Sequence, residues 1–209
     1  MDISIRPVKA SDAPFLSKIC LLTGNAGGSA EGLHNYGELP GLVYAEPYVN
    51  LPTTFGFVME VNETKDVVGY ILGCTDTRLF ERAAEEQWWP PLRQKYTVEV
   101  PGRLDETAED QRYLKLLQKM HTAPEACVKF SPAHLHIDIL AEYQRQGWGR
   151  KLMDRAVRYL QEQGLDAVWL GLDPRNDNAK KFYTRLGFGD VPGAPEGNMA
   201  LRFVDWKSS

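Results

Sequence analysis

Residues 134–149 read HLHIDILAEYQRQGWG, and they constrain the fold more than any other stretch of the chain. Leu135, Ile137, Ile139 and Leu140 stand at or near period two, the spacing of a strand. Beyond Gly149, Leu152, Met153, Ala156, Val157 and Leu160 recur at helical period, so a helix follows. Between them lies Gln144-Arg145-Gln146-Gly147-Trp148-Gly149. The first amides of a helix have no carbonyl partner, and glycine lets a bulky anion come close to them. Successive amides around such a turn form a concave nest for phosphate oxygens. The stretch therefore offers a pyrophosphate cradle, although an isolated Gly-x-Gly before a helix is otherwise only a tight turn. It is not a dinucleotide fingerprint, because the third glycine of that pattern is replaced by Leu152.

Patterning organises the rest of the chain around this unit. Ile3 and Ile5 alternate with polar residues as a first strand. Ser11 or Asp12 caps a helix carrying Phe15, Leu16, Ile19 and Leu22, which Gly24 ends. Residues 24–37 hold Gly24, Gly27, Gly28, Gly32 and Gly37 and read as a loop of the kind that borders binding sites. Residues 39–48 form a short irregular helix interrupted by Pro47. Residues 55–61 and 67–75 make a hairpin, in which Gly69 and Gly73 mark a bulge or a close backbone approach. Residues 77–132 read as an insertion with two helices, at 78–87 and 106–120. Trp88-Trp89-Pro90-Pro91 and a polar linker around Pro101-Gly102 lie between them. After the central helix come a strand at 167–172 and a helix capped by Asn176 or Asp177, with Gly187 at its end. A final hairpin follows, whose last strand is 199–204.

Composition narrows the function classes. A net charge of -4 argues against general nucleic-acid binding. Cys20, Cys74 and Cys127 are odd in number and far apart, which reads as reduced thiols and an intracellular, cytoplasmic setting. Neither a signal peptide nor a membrane-spanning apolar run is evident. The length fits a single domain over residues 1–209.

Asn176, Ala179, Tyr183, Gly187 and Phe188 match N-x-x-A-x-x-x-Y-x-x-x-G-F, and Gln144, Gly147 and Gly149 match Q/R-x-x-G-x-G/A. In this order the two motifs resemble those of the GCN5-related N-acetyltransferases (GNAT). Ile5-Arg6-Pro7, the strand at Gly69-Tyr70 and Trp89-Pro90 followed by Gln94-Lys95-Tyr96 also resemble a particular member of that family. This is the acetyltransferase-like domain at the C-terminus of animal O-GlcNAc hydrolases. The chain is too short for a hydrolase domain, so the resemblance implies a stand-alone relative. Those animal domains have largely lost the glycine motif, whereas Gly147 and Gly149 are intact here.

The resemblance implies an α+β fold: a mixed central sheet flanked by helices, with the two-helix insertion before the central strand. It implies acetyl-CoA as co-substrate, no metal, and an amine acceptor on a small molecule or peptide. Pantetheine would meet backbone groups of Ile137, Ile139 and Leu140 as an added strand does. The pyrophosphate would meet Gln144, Arg145, Gln146, Gly147, Trp148, Gly149 and Arg150, with Asn176 and Tyr183 completing the cofactor site. Arg150, Lys151, Lys180 or Lys181 would meet the outer phosphate. Tyr183 would protonate the leaving thiolate. Asp138 is the first choice for the base and His136 the second. With His134 they fall at alternate positions of one strand, and a bulge would change which face each occupies. Asp138, Asp173, Trp88 and Trp89 are the candidates for the acceptor groove, although large aromatics mostly pack, and the favoured reading of the two tryptophans is that they pin the insertion to the core. The alternative function is a module that binds acetyl-CoA or a peptide without turnover.

Overall fold

The structure is a computed structural model that describes residues 2–96 and 105–206. The alternating runs are strands: β1 (Ile3–Pro7), β2 (Thr54–Val61), β3 (Val67–Cys74), β4 (His134–Ile139), β5 (Ala167–Gly171), β6 (Gly189–Asp190) and β7 (Asn198–Arg202). They form one mixed sheet in the order β1-β2-β3-β4-β5-β7-β6. Only β4 and β5 pair in parallel, while the other neighbours run antiparallel.

The helices divide between the two faces. One face carries α1 (Ala13–Thr23), α2 (Leu39–Tyr44) and α3 (Pro47–Asn50), together with α4 (Thr77–Ala83), α5 (Trp89–Lys95) and α6 (Ala108–Gln118). The short α7 (Glu125–Phe130) packs with β5 and β7. The opposite face carries α8 (Trp148–Glu162) and α9 (Asp177–Arg185). Strand parity explains the division. Tyr70, Leu72 and Cys74 point to α1, whereas Ile71 and Leu135 point to Leu152, Met153 and Leu160 of α8. All of β3 is buried, which accounts for its unbroken apolar run. The stripe of α8 is buried at Leu152, Met153, Ala156, Val157 and Leu160. Each large apolar side chain there contributes about 1.5–3 kcal/mol relative to exposure.

One expectation changes. Among the described residues, the segment 77–132 carries four helices instead of two: α4 runs through a widened turn at Ala84–Trp88 directly into α5, and α7 is added after α6. Pro90 and Pro91 stand at the start of α5, directly after the widened turn. The linker around Pro101-Gly102 lies outside the described residues. The hairpin irregularity falls beside Gly69, as expected: Met59 pairs with Gly69 and Glu60 with Val67, which leaves Val68 as the extra residue. Gly73 allows a close approach, since a Cβ there would stand 2.5 Å from the His134 carbonyl oxygen.

Asp110 ties the 24–37 loop to the insertion. Its buried carboxylate accepts His34 Nδ1 at 2.8 Å, the Asn35 amide at 3.0 Å and the Thr107 amide at 3.0 Å. Burial raises its pKa, but these donors together outweigh burial and hold it below the usual carboxylate range. Asp110→Ala removes a helix cap and orphans buried donors, so it should cost roughly 2–4 kcal/mol in denaturant unfolding. A loss within experimental error would mean that the loop is held by other contacts.

Candidate active site

The parallel strands β4 and β5 pair only at His134↔Trp169 and separate beyond it. The Leu140 amide donates to the Val68 carbonyl of β3 at 3.0 Å. Pairing between β3 and β4 continues from Gly69↔Ile139 to Cys74↔His134 without a shift. Antiparallel alternation therefore turns the amides of Ile137 and Ile139 away from β3, toward the gap. Leu140 has no such group to offer, because its carbonyl accepts the Tyr143 amide at 2.9 Å. Its expected place beside pantetheine is corrected accordingly. Gln144 Nε2 donates to the Ile139 carbonyl at 2.7 Å, tying the turn to the end of β4.

The glycine turn follows at once. Arg145 has φ 59° and Gly147 has φ 83°, both in the left-handed region. Gly147 is the residue immediately before α8, so the first amides of the helix, at Trp148 and Gly149, lack intrahelical partners. Gly149 serves a second purpose. A Cβ there would lie 2.9 Å from the Phe182 ring, so its absence lets α9 close on α8.

These elements border a cleft of about 640 Å³. Ile137, Asp138, Ile139, Gln144, Arg145, Gly147, Gly149, Arg150, Asn176 and Tyr183 all line it. So do Thr23 and residues 26–28 of the glycine-rich loop, which the sequence marked only as a binding-site border. Lys181 and Arg185 join Arg145 and Arg150 to make the cleft wall basic. Asn176 Oδ1 accepts the Ala179 amide at 3.0 Å as the cap of α9. A Cβ on Gly27 would stand 3.0 Å from Asn176 Nδ2, so the loop reaches across to that cap.

Asp138 brings a carboxyl to the lining of this cleft. Tyr70 Oη donates to its Oδ2 at 2.7 Å. Burial pushes the carboxyl up to about 6, with the Tyr70 and Thr23 hydroxyls pulling the other way. Tyr183 is only 6% exposed and packs against Phe182 and Phe188. Burial, and then the charge of Asp138, push its hydroxyl above the ordinary phenol range. Its hydroxyl hydrogen-bonds no described residue, while its ring lines the cleft.

Other expected site residues go elsewhere. His136 lies on the same strand face as Asp138 but does not line the cleft, and its Nε2 is 2.8 Å from Tyr48 Oη. Trp88 and Trp89 pack into the core under α2, where Trp88 Nε1 donates to the Leu42 carbonyl at 2.9 Å. They pin the insertion and form no wall of the cleft. Asp173 pairs with Arg175 at 2.6 Å on the loop after β5 and is not part of the lining. Gln146 caps the Glu142 carbonyl, and the Trp148 ring lies under Lys151 Nζ at 3.9 Å. Lys180 faces Asp190 at 3.6 Å. Thr23, Asn178 and Arg185 escaped the sequence reading because they carry no motif; only the packing of α1 and α9 brings them here.

Among the described residues, no group of three or more His, Cys, Asp and Glu is placed to hold a metal ion, and no helix is long and apolar enough to cross a membrane. Cys20, Cys74 and Cys127 are buried free thiols.

Comparison with known proteins gives the lineage. The model of the acetyltransferase (GNAT) family matches residues 105–188. Protein O-GlcNAcase of Rattus norvegicus is 23% identical over 189 residues, covering 90% of this chain and 20% of that protein. The ribosomal protein bS18-alanine N-acetyltransferase of Escherichia coli strain K12 is 34% identical over 56 residues, 27% of this chain and 38% of that enzyme. The chain thus spans about a fifth of the length of the O-GlcNAcase it matches. Among solved structures, SsHAT superposes with a TM-score of 0.82 at 30% identity, covering 96% of both chains. The PaiA N-acetyltransferase of Thermoplasma acidophilum, solved with coenzyme A, shares the fold at 13% identity, with a TM-score of 0.54 over 97% of this chain and 99% of that one. The family match, the full-length likeness to SsHAT and the shared sheet together identify this chain as a member of the acetyltransferase (GNAT) family.

Proposed function

We propose that this chain is an acetyl-CoA-dependent N-acetyltransferase that moves the acetyl group to an amine of a small molecule or peptide by direct attack. The observation that carries the reading is one cleft containing three things: a glycine turn at a helix start, a carboxyl raised to about 6, and a tyrosine hydroxyl that hydrogen-bonds no described residue. The bound coenzyme A of the PaiA structure supports the cofactor assignment.

In this reading the pyrophosphate rests on the amides of the 147–149 turn, with Arg145, Lys181 and Arg185 nearby. Pantetheine hydrogen-bonds the open edge at Ile137. Asp138, ionised above about pH 6, takes a proton from the incoming ammonium, freeing the nitrogen lone pair. That lone pair attacks the thioester carbonyl carbon, and the Ile139 amide holds the developing oxyanion. The C–S bond then breaks, the departing thiolate takes the proton of Tyr183, and the tyrosine phenolate is reprotonated by the second proton that the attacking nitrogen sheds as it becomes a neutral amide.

A thiol-release screen across amine pools, with acetyl-CoA binding followed by calorimetry, tests the assignment. Acetyl-CoA binding without thiol release from any pool would favour the binding module, and absence of binding would end both readings. With an acceptor in hand, Tyr183→Phe should bind acetyl-CoA as before and turn over roughly 10²-fold more slowly. Unchanged turnover would return Tyr183 to a packing role.

A further inference from the structure

The turn after β7 packs against the start of α8, beside the glycine cradle. Phe203–Asp205 form one 3-10 turn, a conformation in which residues three apart share a side. Phe203 and Trp206 therefore both face α8. Phe203 is buried in the core beneath that helix, Trp206 packs at the edge of the same core, and Val204 between them is 88% exposed. The Phe203 amide donates to the Asp166 carbonyl at 2.8 Å, and the Trp206 amide to the Phe203 carbonyl at 3.1 Å. Gly187 leaves room for the turn, since a Cβ there would stand 3.3 Å from the Asp205 carbonyl oxygen.

Trp206 engages two side chains of α8 that stand one turn apart. Its Nε1–H donates to Asp154 Oδ1 at 3.4 Å. Its ring faces Arg150, whose guanidinium carbon lies 5.3 Å from the ring centre. Arg150 is in the first turn of α8, where the aligned peptide dipoles repel a cation. The negative face of an indole offsets that repulsion, and a planar guanidinium stacks on such a face. Helical side chains lean toward the N-terminus of their helix, so Arg150 runs back toward the cradle, and it lines the cleft. It is half-buried there, whereas Arg145 in the turn itself is exposed.

We propose that Trp206 is a positioning residue of the cofactor site, whose indole face holds the Arg150 guanidinium against the pyrophosphate of acetyl-CoA. This rests on the acetyl-CoA reading above. A long side chain that is free in solution loses rotamer freedom when it meets a phosphate, and one already held by a ring loses less. The neutral amides of the cradle hydrogen-bond the pyrophosphate oxygens, and the held guanidinium adds the charge that those amides lack. Trp206 stands outside both sequence motifs and beyond the residues 105–188 matched by the family model, so the role belongs to the packing of this turn on α8.

Calorimetry with acetyl-CoA on a double-mutant cycle of Trp206→Leu and Arg150→Met tests the pairing without turnover. Trp206→Leu alone should weaken binding about 3–30-fold, the span of a cation–π contact. In the Arg150→Met background the same change should weaken it no further, because no cation is left to hold. Equal losses in the two backgrounds, or no loss in Trp206→Leu, would overturn the proposal and leave Trp206 a packing residue. Acetyl-dephospho-CoA keeps the pyrophosphate and lacks the outer phosphate, so it should show the same loss as acetyl-CoA. A loss seen with acetyl-CoA alone would overturn the pyrophosphate contact. Indole N–H NMR keeps the proposal testable if Trp206→Leu does not fold. The Trp206 resonance, assigned by its absence in Trp206→Phe, should shift when coenzyme A binds the native protein and shift much less in Arg150→Met. An unmoved native resonance, or equal shifts in both proteins, would count against the pairing. If the native protein shows no acetyl-CoA thermal shift, the functional reading fails and the proposal with it, whereas binding with equal losses in the cycle ends the proposal alone.

Discussion

Gly147→Asp should abolish acetyl-CoA binding. In the native protein, micromolar affinity corresponds to about -8 kcal/mol. Ligand at a hundred times its dissociation constant then stabilises the fold by about 2.7 kcal/mol. For a chain of this length that is a melting shift of roughly 5–10 °C. The substitution acts in two ways. At φ 83° a side chain strains the turn, and the carboxylate puts negative charge where the pyrophosphate must sit. Gly147→Asn separates the two effects, because asparagine tolerates the left-handed region and carries no charge. Nothing lies within 4 Å of a Cβ at this position, so neither variant disturbs packing. The expected order of thermal shifts is glycine, then asparagine, then none with aspartate. Equal shifts in all three would place the pyrophosphate elsewhere.

The glycine turn was legible because its signals are local. Period two passes to period 3.6 within one stretch, with Gly147 at the join, and the first helical amides must then be free. The second motif was legible for the same reason: Asn176 caps α9 and Gly187 ends it at φ 99°. What the sequence did not carry depends on pairing between distant segments. Whether Asp138 or Ile137 points toward α1 turns on the β3–β4 register, and no bulge interrupts it. That register also commits the Leu140 amide to Val68, which no local pattern announces. The Tyr48–His134 bond joins residues 86 positions apart. Trp88 and Trp89 illustrate the same limit, since aromatic pairs look alike in sequence whether they wall a groove or fill a core. Here the Leu42 carbonyl and the underside of α2 decide for the core.

Asp138→Asn should lower turnover by 10²–10⁴-fold and raise stability at neutral pH. The loss follows from the base: asparagine accepts the Tyr70 hydroxyl as before but cannot take a proton from an ammonium. In the native protein, kcat/KM should rise with pH through about 6 as the carboxyl ionises, and this limb should be missing from the residual activity of the variant. The gain in stability has the same origin. Burial raises the folded-state pKa from 3.8 to about 6, so between these values the native state holds a proton that the unfolded chain has released. Stability is greatest below pH 4 in this respect, falls as pH rises toward 6, and is level above it. The shift of roughly two units corresponds to about 3 kcal/mol, reduced to ~2 kcal/mol by the partial exposure of the group. Asparagine carries no such cost, so the variant should melt several degrees higher at pH 7.5 and lose that advantage near pH 4. A variant that loses both activity and stability at pH 7.5 would show that Asp138 is a structural anion held by Tyr70, and the base would then have to be sought at His136.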